Sequence, residues 1–414
     1  MSTVASMWSV LGNPRFRPLF AAQVVALVGT GLLTVALGLL AYDLAGTDAG
    51  LVLGLALAIK MTAYVVVAPI MSAAAHRVPR RTLMVSADAV RAAVALALPF
   101  VDQVWQIYVL IAVLQSASAT FTPAFQAVIP TVLPDERDYT RALSLSRLAY
   151  DLESVLSPVL AAAALLVTSY HSLFVGTLVG FLGSGLLVWR GLARRADAPV
   201  PDDRAEVPNR RARVTAGARI VLADPVLRGL LWLNAVVASG TAVVLVATVT
   251  IVRDELGGGE TAVALALACF GAGSMVTALA LPRLLDRVHD VRPVMIVGAV
   301  AVATVLALVA VGFTVGGGWA VLATGWTLLG AATSAISTPT GRVLRDRTAE
   351  ADRPLVFAAQ FSLSHACFLV TYPLAGVLAS TPVAAPAAAA VLATLTAAAA
   401  ARTWPRTVAE PVPV

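Results

Sequence analysis

A small set of ionisable residues lies inside long apolar runs, where each needs a physical reason to be. Lys60, the only lysine in the chain, sits in the middle of one such run, and Arg147, Asp151 and Glu153 share another. Arg147 and Asp151 are four apart, so on a helix they share a face and can pair. Glu153 points about 200° round from Asp151. A carboxylate in a low dielectric prefers to be neutral, and a nearby cation favours its charged form. Asp151 or Glu153, with Arg147 or Lys60 as the competing positive partner, is therefore a candidate for taking up and releasing a proton. His365, in a later apolar run, adds a ring that titrates in the physiological range. The structural alternatives stand beside these: one intrahelical ion pair, a tie of Lys60 to a carboxylate or to carbonyls, and a packed histidine. Asp88 and Arg91, three apart, can also meet on one face. They stand in the first turns of their run, and support of the neighbouring loop is the preferred reading.

Enzyme signatures give nothing to set against this. No zinc-protease motif, phosphate-binding loop or recognisable Ser/His spacing appears. Gly183-Ser184-Gly185 is too short to mark a serine nucleophile. Cys269 and Cys367 lie inside apolar runs and four histidines form no tract, so no disulfide framework or metal site is implied. No catalytic residue, metal ligand or cofactor is assigned.

The elements that must position these residues are membrane helices. Of 414 residues, 59% are hydrophobic and 13% charged, and the mean hydropathy is +0.86. A soluble protein of this size needs more charge on its surface. Roughly 20 apolar residues cross the hydrocarbon core. The pattern predicts twelve spans, at about 18–42, 50–72, 82–101, 105–128, 141–168 and 172–190, then about 228–251, 261–281, 293–313, 318–338, 354–379 and 382–401. The first span is followed by many others and so is not expected to be a cleaved signal peptide.

The two sets of six resemble each other across a polar stretch, Arg190 to Arg228. Asn13-Pro14 before the first span answers Asp224-Pro225 before the seventh. Gly29-Thr30 answers Gly240-Thr241, and Asp43 answers Asp254. Such a self-match indicates two copies of one membrane unit. Pro373 answers Pro158, which sets His365 opposite Tyr150, one residue from Asp151. Arginine crowds the loops on the side of the N-terminus, while the opposite loops hold only Arg253. That bias predicts cytoplasmic termini in a multi-pass protein of the cell inner (plasma) membrane. It also accounts for the net charge of +6 without a nucleic-acid partner. Val214–Leu222 is read either as a short amphipathic helix on the inner surface or as solvated linker.

Six spans, a long linker and six more spans resemble the major facilitator superfamily. In the loop between spans two and three the family shows Gly-x-Leu-x-Asp-Arg-x-Gly-Arg-Arg. Here it reads Ser72-Ala73-Ala74-Ala75-His76-Arg77-Val78-Pro79-Arg80-Arg81. The arginines match; the glycines and the aspartate do not, and His76 replaces the acid. The second half keeps an Asp-Arg pair at Asp286-Arg287. Asp88-x-x-Arg91, and Thr122-Pro123-Ala124-Phe125-Gln126 through Leu133-Pro134, resemble the drug-exporter branch that includes macrolide and enterobactin exporters. Ser157-Pro158-Val159-Leu160-Ala161-Ala162 stands where antiporters of the family show Gly-Pro-x-x-Gly-Gly.

The resemblance implies an all-α membrane protein of twelve transmembrane helices in two pseudo-symmetric bundles, 1–193 and 214–414, joined by a linker over 194–213. It implies a gate at the arginine-rich loops, made of His76, Arg77, Arg80, Arg81, Asp88, Arg91, Asp286 and Arg287. Spans one, four, seven and ten line the central cavity in the family, which makes Gln23, Gln115, Asn234, Thr324 and Trp326 substrate-contact candidates. The expected function is proton-coupled efflux of a small organic molecule, drug-like or siderophore-like, by a monomer in the lipid bilayer. Uptake or metal-ion efflux on the same fold is the alternative within transport. A membrane enzyme or a receptor is the alternative from another class.

Overall fold

The computed structural model describes residues 9–67, 78–192, 210–285, 290–349 and 352–405. His76, Arg77, Asp286, Arg287 and most of the expected linker lie outside the described residues, as do the side chains of Arg147 and Asp151. Among the described residues the regular structure is helical throughout. The helices are α1 (Phe16–Ala45), α2 (Ala49–Thr62), α3 (Arg80–Ala97), α4 (Val104–Val132), α5 (Glu136–Leu165), α6 (His171–Gly191), α7 (Arg210–Ala223), α8 (Pro225–Thr250), α9 (Glu260–Leu285), α10 (Arg292–Thr314), α11 (Gly318–Asp346), α12 (Arg353–Leu378) and α13 (Ala384–Thr403). With α7 set aside as a helix of the linker region, these are the twelve expected spans. A single π-helical turn, Ala63–Val67, continues α2, and another, Ile251–Glu255, continues α8.

Hydropathy predicts where a helix leaves hydrocarbon, not where it ends. For that reason α11 runs on to Asp346 and α5 starts at Glu136, beyond the apolar limits read from sequence. Among the described residues, ten helical stretches are long and apolar enough to cross a bilayer, and the first of them, Phe16–Val67, holds both α1 and α2. In α5 the described stretch Leu156–Leu165 is apolar but shorter.

The internal repeat is written into the helix starts. The Asn13 side-chain oxygen accepts from the backbone N–H of Arg15 (2.9 Å) and of Phe16 (3.2 Å). The Asp224 carboxylate accepts from the N–H of Val226 (2.7 Å) and of Leu227 (3.0 Å). Both satisfy donors that a helix N-terminus otherwise leaves unmade. The proline that follows each, Pro14 or Pro225, lacks an N–H and costs nothing there.

By contact the chain forms two compact units. One comprises Met1–Ala45 and Thr62–Asp203, the other Gly46–Met61 and Arg204–Val414. In the first, α1 packs on α6 and α5, and α3 packs on α6 and α4. The Thr177 hydroxyl donates to the Gly29 carbonyl at 2.9 Å, and Gly180 faces Gly29 with no side chain between the two backbones. Phe16, Leu19, Met84, Phe125, Ile129 and Leu145 form a buried apolar cluster in this unit.

In the second unit the largest helix pairing is α9 on α11. Gly273 lies against the Thr327 carbonyl and Gly330 against the Phe270 carbonyl, so each helix offers a glycine where the other presents bare backbone. Small residues at such crossings allow the close packing on which membrane helices depend. Arg292 donates to the carbonyls of Trp404 and Ala401, each at 3.1 Å, and so closes the end of α13. The linker-region helix α7 packs on α12, where Gly217 meets the Leu355 carbonyl. Large apolar side chains that remain exposed, such as Val297, Leu308, Val391 and Leu395, present a lipid-compatible surface.

Candidate functional site

The first unit buries a charged pair. Asp88 and Arg91 lie one turn apart on α3 and form an ion pair, with 1% and 4% of their surfaces exposed. The Ser184 hydroxyl of α6 donates to the second Asp88 oxygen at 2.8 Å. Gly185 makes the approach possible, since a side chain there would begin 3.3 Å from the Asp88 Cβ. The Arg91 guanidinium lies 4.5 Å from the ring centre of Phe121 on α4 and 4.6 Å from that of Phe181 on α6. Aromatic faces carry negative quadrupole charge and attract a cation best where water is absent. The partners of this pair thus come from α4 and α6. Sequence spacing pointed to Asp88 and Arg91 themselves; it carried no signal for Ser184, Phe121 or Phe181, which are remote in the chain.

Two further groups belong to this surrounding. Tyr64, in the π-helical turn after α2, lies within electrostatic reach of both Arg91 and Glu153. Glu153 is half-buried on α5 and its Oε1 approaches α1 at Gly31, where a Cβ would lie 3.1 Å from it. Ser157 packs against the same glycine. Gly31 therefore makes room for a carboxylate and a hydroxyl where α5 meets α1. Gln23 on α1 and Gln115 on α4 are buried in this unit, at 4% and 5% exposure.

At the N-terminus of α3, the Arg81 guanidinium donates to the Trp189 carbonyl at 2.7 Å and stacks 5.1 Å from the Trp189 ring centre. It thereby ties the start of α3 to the end of α6. Arg80 beside it is half-buried.

In the second unit the expected cavity residues go to different surroundings. Trp326 is fully buried and its indole N–H donates to the Thr248 hydroxyl of α8 at 2.7 Å. Thr324, two residues earlier and so about 200° away on the helix, is exposed. The Asn234 amide donates to the Leu230 carbonyl one turn back on α8 at 3.0 Å. His365 on α12 donates from Nδ1 to the Phe361 carbonyl at 2.7 Å, and its ring stacks on the Phe361 ring at 4.0 Å. Lys60 belongs to this unit by contact and lies within electrostatic reach of His365. The structure thus brings Lys60 within electrostatic reach of His365, Arg91 into contact with Asp88, and Tyr64 within electrostatic reach of Arg91 and Glu153.

The Major Facilitator Superfamily profile matches residues 19–251 and again residues 230–413. Macrolide efflux protein A of Streptococcus pyogenes is 25% identical over 179 residues, 42% of this chain and 44% of that protein. An uncharacterized MFS-type transporter of Bacillus subtilis, YfiS, is 26% identical over 125 residues, 30% of each chain. These alignments span less than half the length of the relatives they match. Among solved structures, that of the nucleoside transporter NupG superposes with a TM-score of 0.73 at 12% identity, covering 95% of this chain and 100% of that one. At such identity the likeness speaks for the fold alone. With a twelve-helix duplicated architecture and a family profile matched almost from end to end, the chain belongs to the Major Facilitator Superfamily.

Proposed function

We propose that this protein is a proton-coupled exporter of small organic molecules, working by alternating access in the cell inner membrane with both termini in the cytoplasm. Its moving parts are the bundles 1–193 and 214–414, joined by the linker 194–213, and a single copy carries the function. The observation that carries export is the likeness to macrolide efflux protein A. Proton coupling is supported by the chemistry of α5: Glu153 approaches α1 at Gly31, with Asp151 two residues earlier on the same helix. A carboxylate so placed changes its proton affinity when a neighbouring cation approaches or withdraws. Only a group whose affinity differs between two conformations couples proton entry to movement.

The test is reconstitution in proteoliposomes with an imposed pH gradient. Export predicts movement of a macrolide or a similar amphipathic drug against its own gradient, with stoichiometric proton flux in the opposite sense. Co-directional flux of proton and solute would replace export by uptake. Product formation without flux would replace transport by catalysis. Orientation is read separately, with a single cysteine near Asp203 in a variant lacking Cys269 and Cys367. An impermeant thiol reagent applied to intact cells is expected to leave it unlabelled.

A further inference from the structure

Three helix ends of the second unit meet on one turn of backbone. The Arg292 guanidinium, at the start of α10, donates to the Trp404 carbonyl from Nε and to the Ala401 carbonyl from Nη2, each at 3.1 Å. Gly229, in the first turns of α8, lies against the same turn at the end of α13. A Cβ there would be 3.0 Å from the Trp404 Cβ and 3.6 Å from the Thr403 hydroxyl oxygen. The joint gathers arginine: Arg228 precedes Gly229, Arg292 opens α10, and Arg402 lies in the last turn of α13. Arg402 is exposed, and Arg228 and Arg292 are half-buried.

Carboxylates do not answer this charge. Arg292 spends its bonds on carbonyls, and Arg228 donates from Nη1 to the Leu222 carbonyl at 3.0 Å. Such bonds satisfy donors and leave the net charge in place. The helix dipoles offset one another, since α8 and α10 present N-termini here while α7 and α13 present C-termini. Of the neighbouring acids, Asp224 pairs with Arg347 at 2.9 Å, and Asp290 accepts from the backbone N–H of Arg292 at 2.9 Å. Among the described residues no carboxylate forms an ion pair with Arg228, Arg292 or Arg402.

Apolar surface runs on from the same joint. Arg402, Leu395 and Val391 stand seven and four residues apart, within about 40° on one face of α13. Leu395 and Val391 are 64% and 61% exposed, and they lie about 10 and 16 Å along the helix from Arg402. Trp232, one turn along α8 from Arg228, is 39% exposed. A half-exposed tryptophan beside a helix end favours the level of the lipid headgroups.

We infer that the joint of α8, α10 and α13 binds the headgroup of an anionic phospholipid, with Arg402, Arg292 and Arg228 around its phosphate and an acyl chain along Leu395 and Val391. Guanidinium matches the geometry of phosphate oxygens, and basic sites between helix ends at the membrane surface suit anionic headgroups. Charge above an apolar stripe favours a lipid over a soluble phosphate, because only a lipid covers both. The site is independent of the exported substrate and of the direction of transport.

The experiment is native mass spectrometry of the delipidated full-length protein in nonionic detergent. It is titrated with dioleoylphosphatidylglycerol, with dioleoylphosphatidylcholine of the same chains, and with glycerol 3-phosphate. Phosphatidylglycerol is expected to bind about tenfold or more tighter than phosphatidylcholine. Arg402→Gln is expected to weaken phosphatidylglycerol about fivefold, as for one arginine at a charged lipid surface, and to leave phosphatidylcholine unchanged. Arg402→Lys is expected to keep most of the preference, and Arg17→Gln, which removes an exposed charge from the first unit, to keep all of it. Equal affinity of the wild-type protein for the two lipids overturns the proposal whether or not any variant folds. Equal losses in Arg402→Gln and Arg17→Gln overturn it in favour of diffuse attraction. Glycerol 3-phosphate binding as tightly as phosphatidylglycerol overturns it in favour of a soluble phosphate. Neither substrate nor gradient is present, so failure here is distinct from failure of the export reading.

Discussion

Asp224 pairs with Arg347 at 2.9 Å through one carboxylate oxygen while the other caps the helix that begins at Pro225. The residue therefore fixes the start of α8 and ties it to the segment after α11. The two roles separate by substitution. Asp224→Asn keeps a capping oxygen and loses the ion pair. Both partners are partly solvated, at 20% and 27% exposure, so the cost is expected below about 1 kcal/mol. Asp224→Ala loses the cap as well and is expected to cost about 1–2 kcal/mol. Asn13→Ala, at the equivalent start of α1, is expected to cost about 1 kcal/mol, roughly the cap alone. Thermal unfolding of the purified protein checks the order.

The Asp88–Arg91 pair predicts non-additive stability. Arg91→Met leaves the Asp88 carboxylate buried with only Ser184 as a side-chain partner, and is expected to cost about 3–5 kcal/mol. Asp88→Asn leaves the guanidinium its two aromatic faces and is expected to cost less. The double variant Asp88→Asn, Arg91→Met removes both charges and is expected to recover part of the Arg91→Met loss. Unfolding temperatures for the three variants decide the case, and strictly additive losses would contradict it.

The α9–α11 crossing predicts opposite effects at two glycines of one helix. At Gly330 a Cβ would fall on the Phe270 carbonyl, and at Gly341 it would meet nothing within 4 Å. Gly330→Ala must push the helices apart and is expected to lower the unfolding temperature by several degrees. Gly341→Ala replaces a floppy residue in a helix interior and is expected to stabilise by about 0.5–1 kcal/mol. Detergent-solubilised thermal unfolding of both variants, measured side by side, reads the sign.

For proton coupling, Glu153→Gln and Asp151→Asn are the informative changes. A residue that carries the coupled proton is expected, when neutralised, to abolish pH-driven accumulation in proteoliposomes while solute exchange at equal concentrations continues. Full pH-driven transport in both variants would make these acids structural and move the coupling site elsewhere.

The membrane helices and the duplication were legible in the chain because hydrocarbon and water sort residues by chemistry alone. The spacing of Asp88 and Arg91 likewise told that they share a face. Contacts between distant segments decided the rest. Phe121, Phe181 and Ser184 surround the ion pair because three helices meet there, and no periodicity within one helix encodes its neighbours. Trp326 stood out as an aromatic in an apolar run, yet only packing turned its indole toward Thr248 and left Thr324 exposed. Lys60 stood out as a charge in hydrocarbon, and only packing brought it within electrostatic reach of His365. Local chemistry determines which residues form helices and where they enter the bilayer; steric fit between helices determines which side chains face one another.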